Sequence, residues 1–222
     1  HLQMAKIRAV TFDLWNTLAY ADVSPNPVVW MAERLGVSAA SVSQTLERMK
    51  EQQLVEVAAD HRIHLTAGGR EAADSINRRH RLTERFLVDM LGLDWVSAHQ
   101  EAHRLEHAIS DDVEARLSAL LDHPQTCPHG APIPGNFPAG GDAAWRRLSS
   151  FQSAERGEIA RISEAIEDDT ALLRFCDEKN IRPQARFRVV EVGPDGVYTL
   201  ETEGGAVAIS DRMTGHIFCV AI

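Results

Sequence analysis

The sequence predicts an α+β chain in three parts: an N-terminal winged helix-turn-helix, a helical domain, and a C-terminal small β-barrel. Three observations predict it. Residues 27–51 hold two helical stretches on either side of Gly36, and an alternating run follows them. Residues 69–121 hold three further helical stretches with no strand signal between them. Beyond Phe151, short β-like runs alternate with turn residues such as Gly193-Pro194-Asp195-Gly196.

Each element has its own local reason. VVWMAERL is broken at Gly36, and Ser38 is placed to cap the next helix by accepting a free backbone N–H. In that next helix Val42, Leu46 and Met49 make an apolar stripe, while Ser41, Ser43, Gln44 and Arg48 take the other faces. LVEVAADHRIHLT alternates on both sides of Ala59-Asp60-His61, as a hairpin does. Helix, turn, helix, hairpin is the order of a winged helix-turn-helix, whose second helix enters the major groove of DNA. A generic helical hairpin followed by a strand pair is the alternative on this pattern alone.

One long helix is expected from Gly69 to about Leu91 and another from Trp95 to Ile109, with Trp95, Ala98, Ala102, Leu105 and Ile109 as its packed seam. Ser110 then caps a helix from Asp111 to about Leu121. The stretch from His123 to Ser150, rich in proline and glycine, reads as loop and linker. GEIARIS, FRVVEV, GVYTLET, AVAIS and HIFCV read as strands, with DDTALLRFCDEKN as an intervening helix. The parts expected are an atypical segment at 4–24, the winged helix-turn-helix at 25–68, the helical domain at 69–134, a linker at 135–150 and the barrel at 151–222.

The net charge of −9 over 222 residues looks wrong for a nucleic-acid binder until it is divided. Residues 1–90 carry 11 basic and 11 acidic residues, and residues 91–222 carry 12 and 21, which is the whole of the −9. Acid in the second part repels phosphate and attracts cations, so one end alone is suited to DNA. No apolar run reaches the roughly 18–20 residues that span a bilayer, so no membrane role is expected. Three distant cysteines, Cys127, Cys176 and Cys219, argue for a reducing cytoplasm.

The chemistry concentrates in HQEAHRLEH. On one helix His99, His103, Glu106 and His107 fall at i, i+4, i+7 and i+8 and share a face. The preceding helix adds His80 and Glu84, one turn apart. Imidazole and carboxylate together suit divalent first-row metals; a solvated polar face is the bland alternative. His103 to His107 also matches the H-x-x-E-H pattern of inverted zinc metallopeptidases. Such an enzyme needs a further ligand, a cleft and an open metal position, for which so short a chain leaves little room.

From about Pro27 onward the chain resembles the diphtheria toxin repressor family of iron- and manganese-dependent regulators. MAERLGVSAASVSQTLERMKEQQLV is similar to its recognition unit. NRRHRLTERFLVDMLGLDW, HQEAHRLEHAISDDVEARL and PHGAPIP are similar to its metal and dimer domain, and GEIARISEAIEDDTALLRFCDEKNI to its SH3-like, FeoA-like domain. The resemblance implies two metal sites per chain. One takes His80, Glu84 and His99 with Glu164 and Glu167; the other takes Glu106 and His107, with His103 where the family has a soft or acidic residue. It also implies a homodimer that binds a palindromic operator when loaded with Mn(II) or Fe(II) and represses genes of metal homeostasis. Ser38, Ala40, Ser41 and Gln44 would lie near base edges and Arg62 near phosphate. Ligands limited to nitrogen and oxygen lean toward manganese. A constitutive, metal-independent DNA-binding protein is the alternative.

Residues 4–22 depart from the family, which supplies a ligand near position 10, where this chain has Val10. AVTFDLWNTL instead resembles the opening strand and nucleophile loop of haloacid dehalogenase-like hydrolases, with Asp13 as the nucleophile. The second aspartate of that loop is replaced by Trp15, and no hydrolase activity is read from it. As a helix, the same stretch would bring Asp13 nearly one turn beyond Val10 as a substitute ligand.

Overall fold

The computed structural model describes residues 27–58 and 62–222, which fall into two compact units, residues 1–77 and 78–222. The segment 4–22, with Val10 and Asp13, and the hairpin tip Ala59–His61 lie outside the described residues.

In the first unit, helix α1 (Pro27–Leu35) stops at Gly36, whose φ of +62° is left-handed and suits a residue without a side chain. Ser38 then caps α2 (Ala39–Glu51), its hydroxyl accepting from the Ser41 N–H at 3.1 Å. The stripe Val42, Leu46 and Met49 is buried against Met31, Ala32, Val55, Ile63 and Ala73. Strands β1 (Val55–Val57) and β2 (Ile63–Leu65) pair antiparallel, Val55 opposite Leu65 and Val57 opposite Ile63. Helix α3 (Ala67–Asp89) starts tight against this hairpin. A Cβ on Gly69 would stand 1.9 Å from the Leu54 carbonyl oxygen, so only glycine fits that turn.

The second unit holds the rest of α3, then α4 (Trp95–Leu105), α5 (Asp111–Leu120) and a six-stranded antiparallel sheet. Its strands are β3 (Arg146–Arg147), β4 (Arg156–Ile162), β5 (Arg186–Val192), β6 (Tyr198–Thr202), β7 (Gly205–Ile209) and β8 (Ile217–Ala221). They lie in the order β3-β8-β4-β5-β6-β7, so a closed barrel is not what the pairing shows. Irregularities at Ile159/Arg161 and Val189/Glu191 bend the sheet. Its core is built by Phe151, Ile159, Ile162, Leu173, Phe187 and Leu200. Helices α6 (Glu164–Glu167), α7 (Thr170–Glu178) and α8 (Asp211–Thr214) fill the connections, and of these only α7 was expected.

Two expectations need correction. Helix α4 ends at Leu105, not Ile109; Glu106 is its C-cap, and Leu105 is 41% exposed rather than in the seam. The reason is the next cap: the chain must reverse through Glu106–Ile109 for Ser110 to accept from the Val113 N–H and start α5. Nor is 123–150 merely linker. Arg146 and Arg147 pair with β8, and Cys127, His129, Ala131 and Ile133 are fully buried or nearly so.

Candidate metal centre

Helix α3 presents His80 and Glu84 one turn apart, and α4 presents His99 and His103 in the same relation. These two faces meet in the interior of the second unit. The Glu84 carboxylate is wholly buried, and its Oε1 lies 3.0 Å from His80 Nε2 and 2.8 Å from His99 Nδ1. His80 Nε2 and His99 Nδ1 are 3.3 Å apart. A third element joins them. In the loop after α5, His129 Nδ1 stands 3.5 Å from Glu84 Oε1 and 3.6 Å from Glu167 Oε2, with Cys127 Sγ 3.9 Å away. Trp95 packs edge-on against the His129 ring. Glu167, on α6, faces His99 at 4.0 Å.

The loop is held by its backbone. Cys127 N–H donates to Ala131 O, Gly130 N–H to Cys127 O, and Ile162 N–H in β4 to His129 O at 2.8 Å. Gly130 has φ +89°, and a Cβ there would stand 2.1 Å from Ala160 O. Cys127 and His129 were not among the expected site residues, and with them a thiol stands beside the nitrogen and oxygen donors. The signal was in the quoted PHGAPIP stretch, where a histidine stands beside a proline and a glycine with a cysteine two residues before it.

A second cluster adjoins the first. His80 Nδ1 reaches Glu106 Oε2 at 2.7 Å, so this imidazole lies between Glu84 and Glu106. His103 and His107 lie 3.8 and 3.4 Å from Glu106 Oε1, and His103 Nε2 is 3.1 Å from His99 Nε2. All four helical residues of HQEAHRLEH therefore gather, but His107 does so from the turn after α4 rather than from its face. Glu106 and His107 of the H-x-x-E-H pattern thus lie beyond the helix that carries His103.

The electrostatics are those of imidazoles crowded against buried carboxylates. Burial lowers the pKa of His80, but the Glu84 charge and the bonds to Glu106 and Glu84 outweigh it and raise it to about 9. Burial likewise opposes, and Asp168 and Glu84 overcome, a rise of His99 to about 10. His129 is held well above its ordinary value by Glu84 and Glu167 despite its burial. Burial would raise Glu84, yet His80 and His129 pull it well below the carboxylate range. Burial and the Glu84 charge push the Cys127 thiol up. Glu84 Oε2, His129 Nε2 and Glu167 Oε1 are buried with no hydrogen-bond partner, a condition that native interiors avoid unless something else satisfies the atoms. Donors of Glu84, His99 and Glu167, of Glu84, Cys127 and His129, and of His80, His99 and His103 lie close enough to share one ion. The residues fit a divalent metal.

Glu164 has a different fate. Its two oxygens accept from Arg81 Nη2 at 2.9 Å and Arg161 Nη2 at 2.5 Å. The charges of Arg161 and Arg81 override its burial and hold the carboxyl at about 2. On the first unit, Ser38, Ala40, Ser41 and Gln44 are exposed along α2, and Arg62 is exposed beside β2. Ser38 and Ser41 also bond each other, 2.9 Å apart.

Residues 23–62 match the model of the iron dependent repressor N-terminal DNA binding domain, residues 66–135 that of the iron dependent repressor metal binding and dimerisation domain, and residues 146–221 that of the FeoA domain. The chain is 38% identical to the iron-dependent repressor IdeR of Mycobacterium tuberculosis over 183 residues, 78% of this chain and 79% of that one. It is 46% identical to the diphtheria toxin repressor of Corynebacterium glutamicum over 190 residues, 82% of each. Among solved structures, a manganese-dependent transcriptional repressor in complex with manganese matches with a TM-score of 0.80 and 35% identity, covering 95% of this chain and 99% of that one. The hydrolase-like reading of residues 4–22 is not borne out, since every domain matched is a repressor domain or FeoA. With its relatives iron- and manganese-dependent transcriptional repressors, and with this ligand cluster in its helical domain, the chain belongs to the diphtheria toxin repressor family.

Proposed function

We propose that the chain is a homodimeric repressor that binds a palindromic operator when loaded with Mn(II) or Fe(II), with two metal sites per chain. The observation that carries this is the convergence of three imidazoles, two carboxylates and a thiol from α3, α4, α6 and the 126–132 loop on one buried place. The inner site takes Glu84, His99, His129 and Glu167, with His80 and Cys127 alongside. The outer site takes His103, Glu106 and His107, with Asp13 as the further ligand. What a bound cation supplies is positive charge at a point where carboxylates from separate elements meet, replacing the protons that His80, His99 and His129 hold without it.

The chain's own residues do the rest. Glu84 orients two imidazoles through one oxygen, and His80 links Glu84 to Glu106 through its two ring nitrogens. A carboxylate bonded to an imidazole nitrogen in this way fixes the ring's orientation and raises its basicity. Helix α3 begins against the β1–β2 hairpin and carries His80 and Glu84 further along the same helix. Ala40, Ser41 and Gln44 on α2 would contact base edges, and Arg62 would contact phosphate. Ser38 caps α2, and its contact with DNA would come second to that.

A mobility-shift titration tests this reading. Binding to a palindromic operator should require manganese or iron and disappear with chelator. Equal affinity in chelator would overturn it and leave a constitutive DNA-binding protein.

A further inference from the structure

Glu164 and Glu167 stand three residues apart on α6, and the resemblance places both on the metal. The structure separates them. Glu167 directs one oxygen at His99 and His129 and keeps the other without a partner. Both oxygens of Glu164 are taken by guanidinium groups, one from α3 and one from β4. Arg81 and Arg161 are themselves mostly buried, with side-chain exposures of 14% and 15%. For Glu164 to turn to a cation, two buried guanidiniums would lose their carboxylate, which is the expensive way to break such a group. Arg81 also donates to the Pro132 carbonyl oxygen, in the strand-like end of the loop that carries His129.

From this we infer that Glu164 is not a metal ligand but the centre of a metal-independent clamp, Arg81–Glu164–Arg161, which fixes α6 and β4 of the C-terminal β-domain to α3. The clamp joins α3 and α6, which supply Glu84 and Glu167, and through Arg81 it also holds the loop that carries His129. It therefore sets the inner site before any ion arrives, and the β-domain stays docked when the ion leaves. The loop's bond from Ile162 N–H to His129 O strengthens the same join. The inference rests on the reading of the inner cluster as a metal site only for what the clamp is for; its existence does not depend on it.

Hydrogen exchange read by mass spectrometry on the full chain in chelator tests the clamp. Amides of α6 and β4 should be protected without metal, and Glu164→Gln should speed their exchange by about tenfold or more. Arg161→Lys, which keeps the charge, should give a smaller increase and shows that the first variant is not simply unfolded. Under saturating manganese, Glu164→Gln should still hold the wild-type number of ions per chain by equilibrium dialysis, whereas Glu167→Gln should lose one. Fast exchange of wild-type α6 until metal is added overturns the inference, as does loss of an ion in Glu164→Gln. Failure of the wild type to bind any divalent ion would sink the metal-site reading, while the exchange data in chelator would still decide the clamp.

Discussion

The inner and outer clusters share the His80 ring yet differ in almost every physical respect. Around Glu84 the ligands come from four elements and are buried; Glu84 and His129 are wholly so. Around Glu106 the side chains of His103 and His107 are 30% and 28% exposed, and all three residues come from one helix end and the turn after it. The inner cluster is therefore preorganised by core packing and by charges that have no water to relax into. Apart from the shared His80 ring, the outer cluster is built by His103, Glu106 and His107.

Removing Glu84 should break the contrast most violently. Glu84→Ala leaves His80, His99 and His129 without their shared counter-charge, and loss of one partner from a buried ionic group costs roughly 3–5 kcal/mol. A drop of that size in chemical denaturation of the chelated protein is expected, with one ion fewer per chain by dialysis. A change below about 1 kcal/mol would mean that the cluster is wetter and looser than its burial implies.

The pH dependence comes next. His80 and His99 are raised from 6.5 to about 9 and about 10. Groups raised in this way favour the folded state fully below the unfolded value, near 6.5, and lose that contribution as pH climbs through 9 to 10. The melting temperature of the metal-free protein should accordingly fall between pH 7 and 10. With manganese present the imidazoles are deprotonated ligands, so the fall should be smaller, and metal uptake near neutrality should release protons, measurable by calorimetry in buffers of different ionisation heat. Parallel curves with and without manganese would contradict the assignment of these histidines.

Asp13→Ala sharpens the outer half. If Asp13 completes that site, the variant should keep its fold and inner ion but lose about tenfold or more in manganese-dependent operator affinity, the scale of a ligand or its close support. No change would separate the N-terminal segment from the metal response. The smallest effect is expected from His107→Ala in the chelated protein, where a partly exposed side chain should alter stability by about 0.5 kcal/mol or less.

How much of this was legible follows the range of the interactions. Val42, Leu46 and Met49 announced the buried face of α2, and His80, Glu84 and His99 announced the centre, because helical spacing is local. Cys127 and His129 were missed because a loop has no period; they reach Glu84 through bonds from Arg85 and Arg81 of α3 and from Ile162 of β4, all distant in sequence. The end of α4 was misjudged because Leu105 and Ile109 prolong the apolar spacing, while the Ser110 cap decides the boundary. Two-residue β3 owes its existence to pairing with β8 at the far end of the chain. That Glu164 and Glu167 serve different partners depends on Arg81 and Arg161, which spacing within SEAIED cannot reveal.

The turn that carries His129 also bears on how ion preference can change in such a protein. Its shape is written in backbone bonds and in the absence of a side chain at Gly130, whose neighbour leaves no room for even a methyl group. The buried side chain at position 127 adds one contact to that shape, Sγ to His129 Nδ1 at 3.9 Å. In the proposed inner site, exchange of the Cys127 thiol for a carboxylate or a hydroxyl would shift the preference from softer to harder ions, while position 130 has no room for a side chain. The frame is fixed and the flavour is not.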